Sequence, residues 1–215
     1  MKQKILIITV VVGLAAAFGV GTLAYQSQKA DAAQVLAREV LLARAYAPTA
    51  GPTEAKVHIV EFLDPACGTC ATFYPFVKRM MAANPGKIRV SVRYAPFHNN
   101  SDYVVKVLEA TRKQGKYWES LEALLGSQQR WAPNHSPQPD LVWAQLAGLG
   151  LDLERVRIDM HAPDIANSVQ QDIADAKALK VTQTPEFFVN GQPMPSFGYD
   201  QLTALVNDAL TTTYR

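Results

Sequence analysis

The spacing of apolar positions changes along the chain, and each change predicts a different element. Ile5 to Tyr25 is a run of 21 residues without a charge, and a helix of ~20 apolar residues can span a hydrocarbon core. Asp31 to Ala43 places Leu36, Val40 and Leu41 roughly on one side, which predicts a short helix that Asp31 can cap. Two prolines and a glycine between Ala47 and Thr53 predict a linker. Val57 to Leu63 is apolar and rich in β-branched residues, a strand. Behind it Phe73, Phe76, Val77 and Met80 recur at i, i+3, i+4 and i+7, the period of a helix. Pro75 lies inside that helix and predicts a kink. Asn84-Pro85-Gly86 stops it, and Ile88 to Tyr94 alternates as a second strand.

From Asn99 to about Leu179 the pattern is helical almost throughout. One helix follows Ser101 and carries Val104, Val105 and Leu108. Others are predicted over Lys116 to Leu125, after Pro137 and Pro139, from Leu151 and from Asp164. The β pattern returns in Pro185-Glu186-Phe187-Phe188-Val189, and Asn190-Gly191 favours a tight type I′ hairpin. The returning strand holds Pro193 and Pro195, so it must lie at an edge or be very short. Leu202, Leu205, Val206 and Ala209 predict a closing helix. The order is strand, helix, strand, helical block, hairpin, helix, which is an α/β chain.

Composition changes this picture in two places. The net charge of +2 includes Lys2 and Lys4; without them 19 basic residues face 19 acidic ones, and no basic footprint for nucleic acid remains. Those two lysines precede the apolar run and would hold its start in the cytoplasm, sending the rest outward. Ala30-Asp31-Ala32 offers a cleavable-signal alternative, but the run exceeds the ~7–15 residues of a signal core, which favours an uncleaved anchor. Either reading predicts an extracytoplasmic (periplasmic) location, where disulfides persist.

The chemistry converges on Cys67 and Cys70, the only two cysteines. They stand where a strand feeds a helix N-terminus, and there the helix dipole and free N–H groups lower a thiol below its ordinary ~8.5. At 100° per residue Cys67 points away from the apolar helix face and Cys70 sits at its edge, so the first sulfur should be reachable and the second shielded. An inert disulfide is the alternative, although a loop this small gains little stability from closure. A zinc site is disfavoured because His58, His98, His135 and His161 show no paired ligand spacing. Asp64 and Pro65 should shape the turn. His98 can approach the pair or lie hydrogen-bonded at the surface. Tyr117, Trp118, Trp131 and Trp143 are core positions by default and groove residues otherwise. Glu61 shares its strand face with Ile59 and Leu63, where an acid is costly unless it has a partner or a task; a place at the sheet rim is the alternative.

The segment Glu61-Phe62-Leu63-Asp64-Pro65-Ala66-Cys67-Gly68-Thr69-Cys70, with Val181-Thr182-Gln183-Thr184-Pro185-Glu186-Phe187-Phe188-Val189-Asn190-Gly191 after a helical block, resembles the thioredoxin-fold family in its bacterial DsbA-like branch. The resemblance covers about residues 54 to 212. The apolar run and the linker behind it predict a signal-anchor over 1–26 and a stem and linker over 27–53; the resemblance implies a thioredoxin-like domain over 54–215 with a helical insertion at about 99–180. It implies that Cys67 is the nucleophile and Cys70 the resolving thiol, forming a redox-active disulfide. Pro185 would be a cis-proline facing the pair, leaving the Thr184 backbone to receive an extended substrate, and Glu61 a buried proton acceptor for Cys70. Neither cofactor nor metal is implied, since the cysteines carry the electrons. The implied partners are unfolded or cysteine-containing exported proteins and a membrane redox partner that resets the pair. Gly68-Thr69 departs from the branch in having no proline or histidine between the cysteines, so strong oxidising power is not assured. The expected activity is thiol–disulfide oxidoreduction, oxidase first and reductase or isomerase second, with a non-catalytic holdase as the alternative.

Overall fold

In the computed structural model, residues 37–215 are described without a break, preceded by residues 18, 19, 21–23, 25–29, 33 and 35. The chain forms two units, 1–40 and 41–215. In the first, the described residues are helical. Most of the run read as an anchor, and Asp31 as a cap, lie outside the described residues. Among those described, no helix is long and apolar enough to cross a membrane.

The second unit is built on a five-stranded sheet in the order β1-β3-β2-β4-β5. Strand β1 (Thr49–Ala50) is followed by β2 (Val57–Leu63), helix α1 (Gly68–Ala83) and β3 (Ile88–Tyr94). Helices α2 (Ser101–Arg112), α3 (Tyr117–Gly126), α4 (Gln128–Trp131), α5 (Pro139–Leu146), α6 (Leu153–Asp159) and α7 (Pro163–Ala178) then intervene, with a 3-10 turn at Pro133–His135. The chain returns through β4 (Glu186–Val189) and β5 (Gln192–Pro193) to α8 (Tyr199–Thr213). β2 and β3 run parallel, so their connection must cross over, and α1 supplies that crossover. β4 pairs antiparallel with β2, which makes β2 the central strand.

The residues read as a linker are in part sheet: Thr49 pairs with Ser91 and Ala50 with Val90. Pro48 accepts from the Val92 amide at 2.9 Å. Gly51 makes the approach possible, with φ +94 and the Ile88 carbonyl oxygen 2.5 Å from where a Cβ would stand. The hairpin forms as Asn190-Gly191 demands, both residues at positive φ (47 and 77). The proline-limited strand β5 is short and at the edge.

Alternation along β2 sends side chains to two faces. Val57 and Ile59 pack with Phe73, Val77, Phe187, Leu202 and Val206 beneath α1 and α8. Val60 and Phe62 pack with Leu42, Ala176 and Phe188 on the other face. The helical block has its own core, which extends to Leu63, Cys67 and Cys70. The cysteines therefore sit where that block meets the end of the central strand. α1 continues through Pro75 from Gly68 to Ala83.

Candidate active site

The end of β2 delivers four residues, Asp64 to Cys67, into the N-terminus of α1. Asp64 is fully buried and its carboxylate organises this turn. One oxygen accepts from the Ala66 amide at 2.9 Å and from the Ser101 hydroxyl. The other accepts from the amides of Phe97 (2.7 Å) and His98 (2.9 Å) and lies 2.7 Å from His98 Nδ1. Its expected role as a turn-former holds, and it reaches further: the same side chain fastens the start of the helical block to the active-site turn. His98 is hydrogen-bonded and partly exposed, and the bond is to the carboxylate that shapes the active-site turn.

Cys67 is the N-cap residue of α1 (φ −76, ψ 118), with no acidic side chain in the first turn. Both cysteines are free thiols. Cys67 is 7% exposed and Cys70 not at all; the expected asymmetry is present, although the leading sulfur is covered more closely than the helical wheel suggested. The surplus cover comes from the helical block, which a wheel does not contain. A hydrogen bond with the Cys70 thiol is the largest influence on Cys67; against burial, and with help from the Thr184 side chain and the N–H groups of Cys70 and Thr69, it lowers the Cys67 thiol to about 5. Burial, then the bond to Cys67, then the charge of Glu61 push Cys70 well above its ordinary value. One sulfur is built to ionise and the other to keep its proton.

The Thr184–Pro185 peptide is cis, and the Thr184 carbonyl accepts from Cys67 Sγ at 3.1 Å. That contact by itself favours the thiol; the Cys70 thiol first, then the Thr184 side chain and the Cys70 and Thr69 N–H groups, outweigh it. Pro185 and Thr184 thus stand against the reactive sulfur.

Glu61 is in the central strand, opposite Val92 and Phe187 and 2% exposed, not at the sheet rim. Burial first, and the Cys67 charge second, raise its carboxyl to about 8. Its Oε1 has no hydrogen-bond partner among the described residues, and Glu61 lines a cavity of about 280 Å³ with Tyr74, Val77, Val92 and Trp118, with Lys78 and Glu122 at 2.7 Å from each other in its wall. Trp118 is therefore a cavity residue, whereas Tyr117, Trp131 and Trp143 are core. Among the described residues, no group of three or more His, Cys, Asp or Glu is placed to hold a metal ion.

The raised Glu61 carboxyl has a measurable consequence. Unfolded, it releases its proton near 4.5; folded, it keeps it up to about 8. Between these values the native state binds more protons, so stability falls as pH rises, by up to ~1.4 kcal/mol per pH unit. Cys67 runs the other way in the reduced protein, because its folded value lies below the unfolded 9.0. In the disulfide form the thiol no longer titrates. There burial alone raises Glu61, so denaturant unfolding of the oxidised protein should show stability declining as pH rises above 4.5, and Glu61→Gln should flatten that decline. A slope unaltered by the substitution would mean that Glu61 is not held protonated.

Two side chains at the site escape local sequence reasoning. Gln128 donates through Nε2 to the carbonyls of Pro65 (2.8 Å) and Cys67 (3.0 Å). His135 Nδ1 lies 3.0 Å from the Ala66 carbonyl and 3.3 Å from the Gly68 amide. Gln128 opens α4 and His135 ends the 3-10 turn behind it, both more than sixty residues from the cysteine pair, and no spacing rule connects them to the cysteines.

Comparison with known proteins decides the family, since the thioredoxin family model matches residues 44–208. The chain belongs to the thioredoxin family. A crystal structure of a thioredoxin-like oxidoreductase from Silicibacter pomeroyi DSS-3 is 30% identical, with a TM-score of 0.70, covering 81% of this chain and 98% of that one. The probable disulfide bond formation protein D of Bacillus cereus is 27% identical over 88% of this chain and 90% of its own length. BdbD from Bacillus subtilis, at 21% identity and a TM-score of 0.66, shares the fold. A Na(+)/H(+) antiporter NhaA from Herminiimonas arsenicoxydans is 30% identical over 71% of this chain, but only 24% of that protein is matched. The chain spans about a quarter or less of the length of the antiporters it matches. Within the family, the DsbA-like character inferred from the sequence agrees with the helices inserted between β3 and β4.

Proposed function

We propose that this thioredoxin-family protein is an extracytoplasmic thiol–disulfide oxidoreductase that forms disulfides in exported proteins. The observation that carries the reading is the placing of Cys67 at the N-cap of α1, against the carbonyl of the cis Thr184–Pro185 peptide, with Cys70 fully enclosed behind it; these surroundings lower Cys67 to about 5 and raise Cys70. A stabilised Cys67 thiolate stabilises the reduced protein, and a couple whose reduced form is stabilised is oxidising. That supports oxidase over reductase or isomerase despite the plain Gly68-Thr69 dipeptide.

The chemistry balances without a cofactor. A client thiolate attacks Sγ of Cys67 in the disulfide form; the Cys67–Cys70 bond breaks and a client–Cys67 disulfide forms. Cys70 leaves with the electron pair and takes a proton from Glu61, whose carboxyl is kept protonated by burial above the ordinary carboxylate range. A second client thiolate attacks the first, its disulfide closes, and Cys67 departs as the thiolate. The client has lost two electrons, now held by the reduced pair, and a membrane redox partner of the disulfide or quinone class removes them. Thr184 and Pro185, against Cys67 Sγ, offer the backbone on which an extended client segment lies. The location rests on the apolar run Ile5 to Tyr25 behind Lys2 and Lys4, which would also tether the protein to the cytoplasmic membrane.

The test is alkylation of the reduced protein with iodoacetamide across pH 3 to 10. Cys67 should reach half its maximal rate near pH 5 while Cys70 stays unmodified. A rate profile for Cys67 centred near the ~8.5 of a free thiol would overturn the reading.

A further inference from the structure

The dipeptide between the cysteines carries no titratable side chain, yet the turn around Cys67 is gripped from outside. His135 Nδ1 faces the Ala66 carbonyl at 3.0 Å and the Gly68 amide at 3.3 Å, the two peptide groups that flank Cys67. A single Nδ1 serves one of them at a time: carrying a proton it donates to Ala66, and bare it accepts from Gly68. The ring stacks on His98 at 5.2 Å with an interplanar angle of 27°. His98 Nδ1 is 2.7 Å from the buried carboxylate of Asp64, which also receives the Ala66 amide. His98, Asp64 and Cys67 are thus the titratable groups that adjoin His135 or the peptides it touches, and together they close a circuit around the turn.

The loop that presents His135 is itself held in an uncommon conformation. Asn134 (φ 52) and His135 (φ 59) are consecutive non-glycine residues in the left-handed region, which L residues enter at a cost and which concentrates at functional positions. Residue 68 is fitted to the ring: a Cβ there would meet His135 Cε1 at 3.0 Å. A histidine packed only to fill the loop would need neither the strained backbone nor contact with both peptides beside the reactive sulfur.

We propose that His135 is a positioning residue that sets the ionisation of Cys67, and through it the oxidising strength of the pair, from outside the Cys-x-x-Cys motif. By bonding to one or the other of the two peptides that flank Cys67 it fixes the backbone that carries Sγ and keeps the sulfur beside its donors, the Cys70 thiol first and the Cys70 and Thr69 N–H groups last. Released, the sulfur loses alignment with those donors and its thiolate is less stabilised. This inference rests on the exchange reaction proposed above.

The experiment uses the reduced full chain, with thiolate absorbance near 240 nm followed against pH, glutathione equilibration, and a thermal melt for each variant. His135→Ala should raise the Cys67 midpoint by at least half a pH unit and shift the glutathione equilibrium threefold or more toward the disulfide form. His135→Asn retains an acceptor near the Nδ1 position and tolerates left-handed backbone, so it should stay close to wild type on both readouts. Gly68→Ala, which crowds the ring, should shift the midpoint upward in the wild-type background and add nothing to His135→Ala; it carries the test if His135→Ala does not fold. A His135→Ala midpoint and equilibrium equal to wild type, whatever the melt, or a Gly68→Ala effect undiminished without His135, overturns the inference and leaves the exchange reading intact. A wild-type midpoint at the ordinary thiol value would remove both.

Discussion

Cys67→Ala lowers dithiothreitol-driven reduction of insulin to the uncatalysed rate, whereas Cys70→Ser leaves a protein that accumulates as a mixed disulfide with its clients. The asymmetry follows from the two environments. Cys67 is the sulfur with a path to solvent and with its thiol lowered to about 5, so at neutral pH it is nearly all thiolate. Cys70 is fully enclosed and keeps its proton; it meets only what Cys67 has already bound. Removing Cys67 therefore abolishes both attack and the site of attack. Removing Cys70 deletes only the resolving step and strands the client on Cys67. Loss of the Cys67 sulfur does not disturb the turn, which is held by Asp64, Gln128 and His135 through backbone groups. A Cys67→Ala protein that folds normally and still turns over insulin would reject the nucleophile, and the holdase alternative would then carry the function.

How much of this was legible in the sequence depends on how far apart the cooperating residues lie. The helix behind the cysteines was readable because Phe73 and Val77 recur at helical spacing, and both are buried. The hairpin was readable because Asn190-Gly191 fixes its own turn chemistry. Glu61 drew attention as an acid on an apolar strand face, and its burial in β2 bears that out. His135 and Gln128 gave no such signal. They serve the site across a fold-level distance, and their local sequence looks like an ordinary loop. β1 was hidden for a different reason: Pro48 and Gly51 punctuate a segment whose pairing is dictated by the exposed edge of β3, not by its own composition. The same limit applies to Arg93. In Ile88 to Tyr94 it falls on the polar face of an alternating strand, as Ser91 does, and that pattern reads as solvent-facing. Both are buried, because α7 and the segment beginning at Leu41 cover that face.

Arg93→Met should accordingly cost about 3–5 kcal/mol, the range for removing one member of a buried ionic group, and lower the thermal midpoint by roughly 6–20 °C for a domain of this size. Arg93 is wholly enclosed. Its Nε donates to Asp172 at 2.7 Å, one terminal nitrogen to Asp175 at 2.6 Å, and the other to the carbonyls of Leu41 (2.6 Å) and Leu42 (3.1 Å). Tyr46 and Arg44 complete the group, on Asp172 at 2.6 Å and on Asp175 at 2.7 Å. This cluster joins three parts of the fold: the entry to the second unit, strand β3, and α7, the last helix before the cis-proline loop. Methionine fills much of the volume but leaves Asp172, whose carboxyl burial already pushes upward, without its main cation, and the Leu41 and Leu42 carbonyls without their donor. Arg93→Lys should lose part of that stability, since an ammonium cannot reach two carboxylates and two carbonyls with a planar fork. Neutralising the three buried members, Arg93→Met with Asp172→Asn and Asp175→Asn, should recover a measurable share, because the penalty lies in the unpaired buried charges more than in the missing contacts; Arg44, which is left charged, is partly exposed. Urea unfolding of the four proteins gives the ordering directly. An Arg93→Met variant as stable as wild type would mean that the buried group contributes nothing to holding α7 on the sheet.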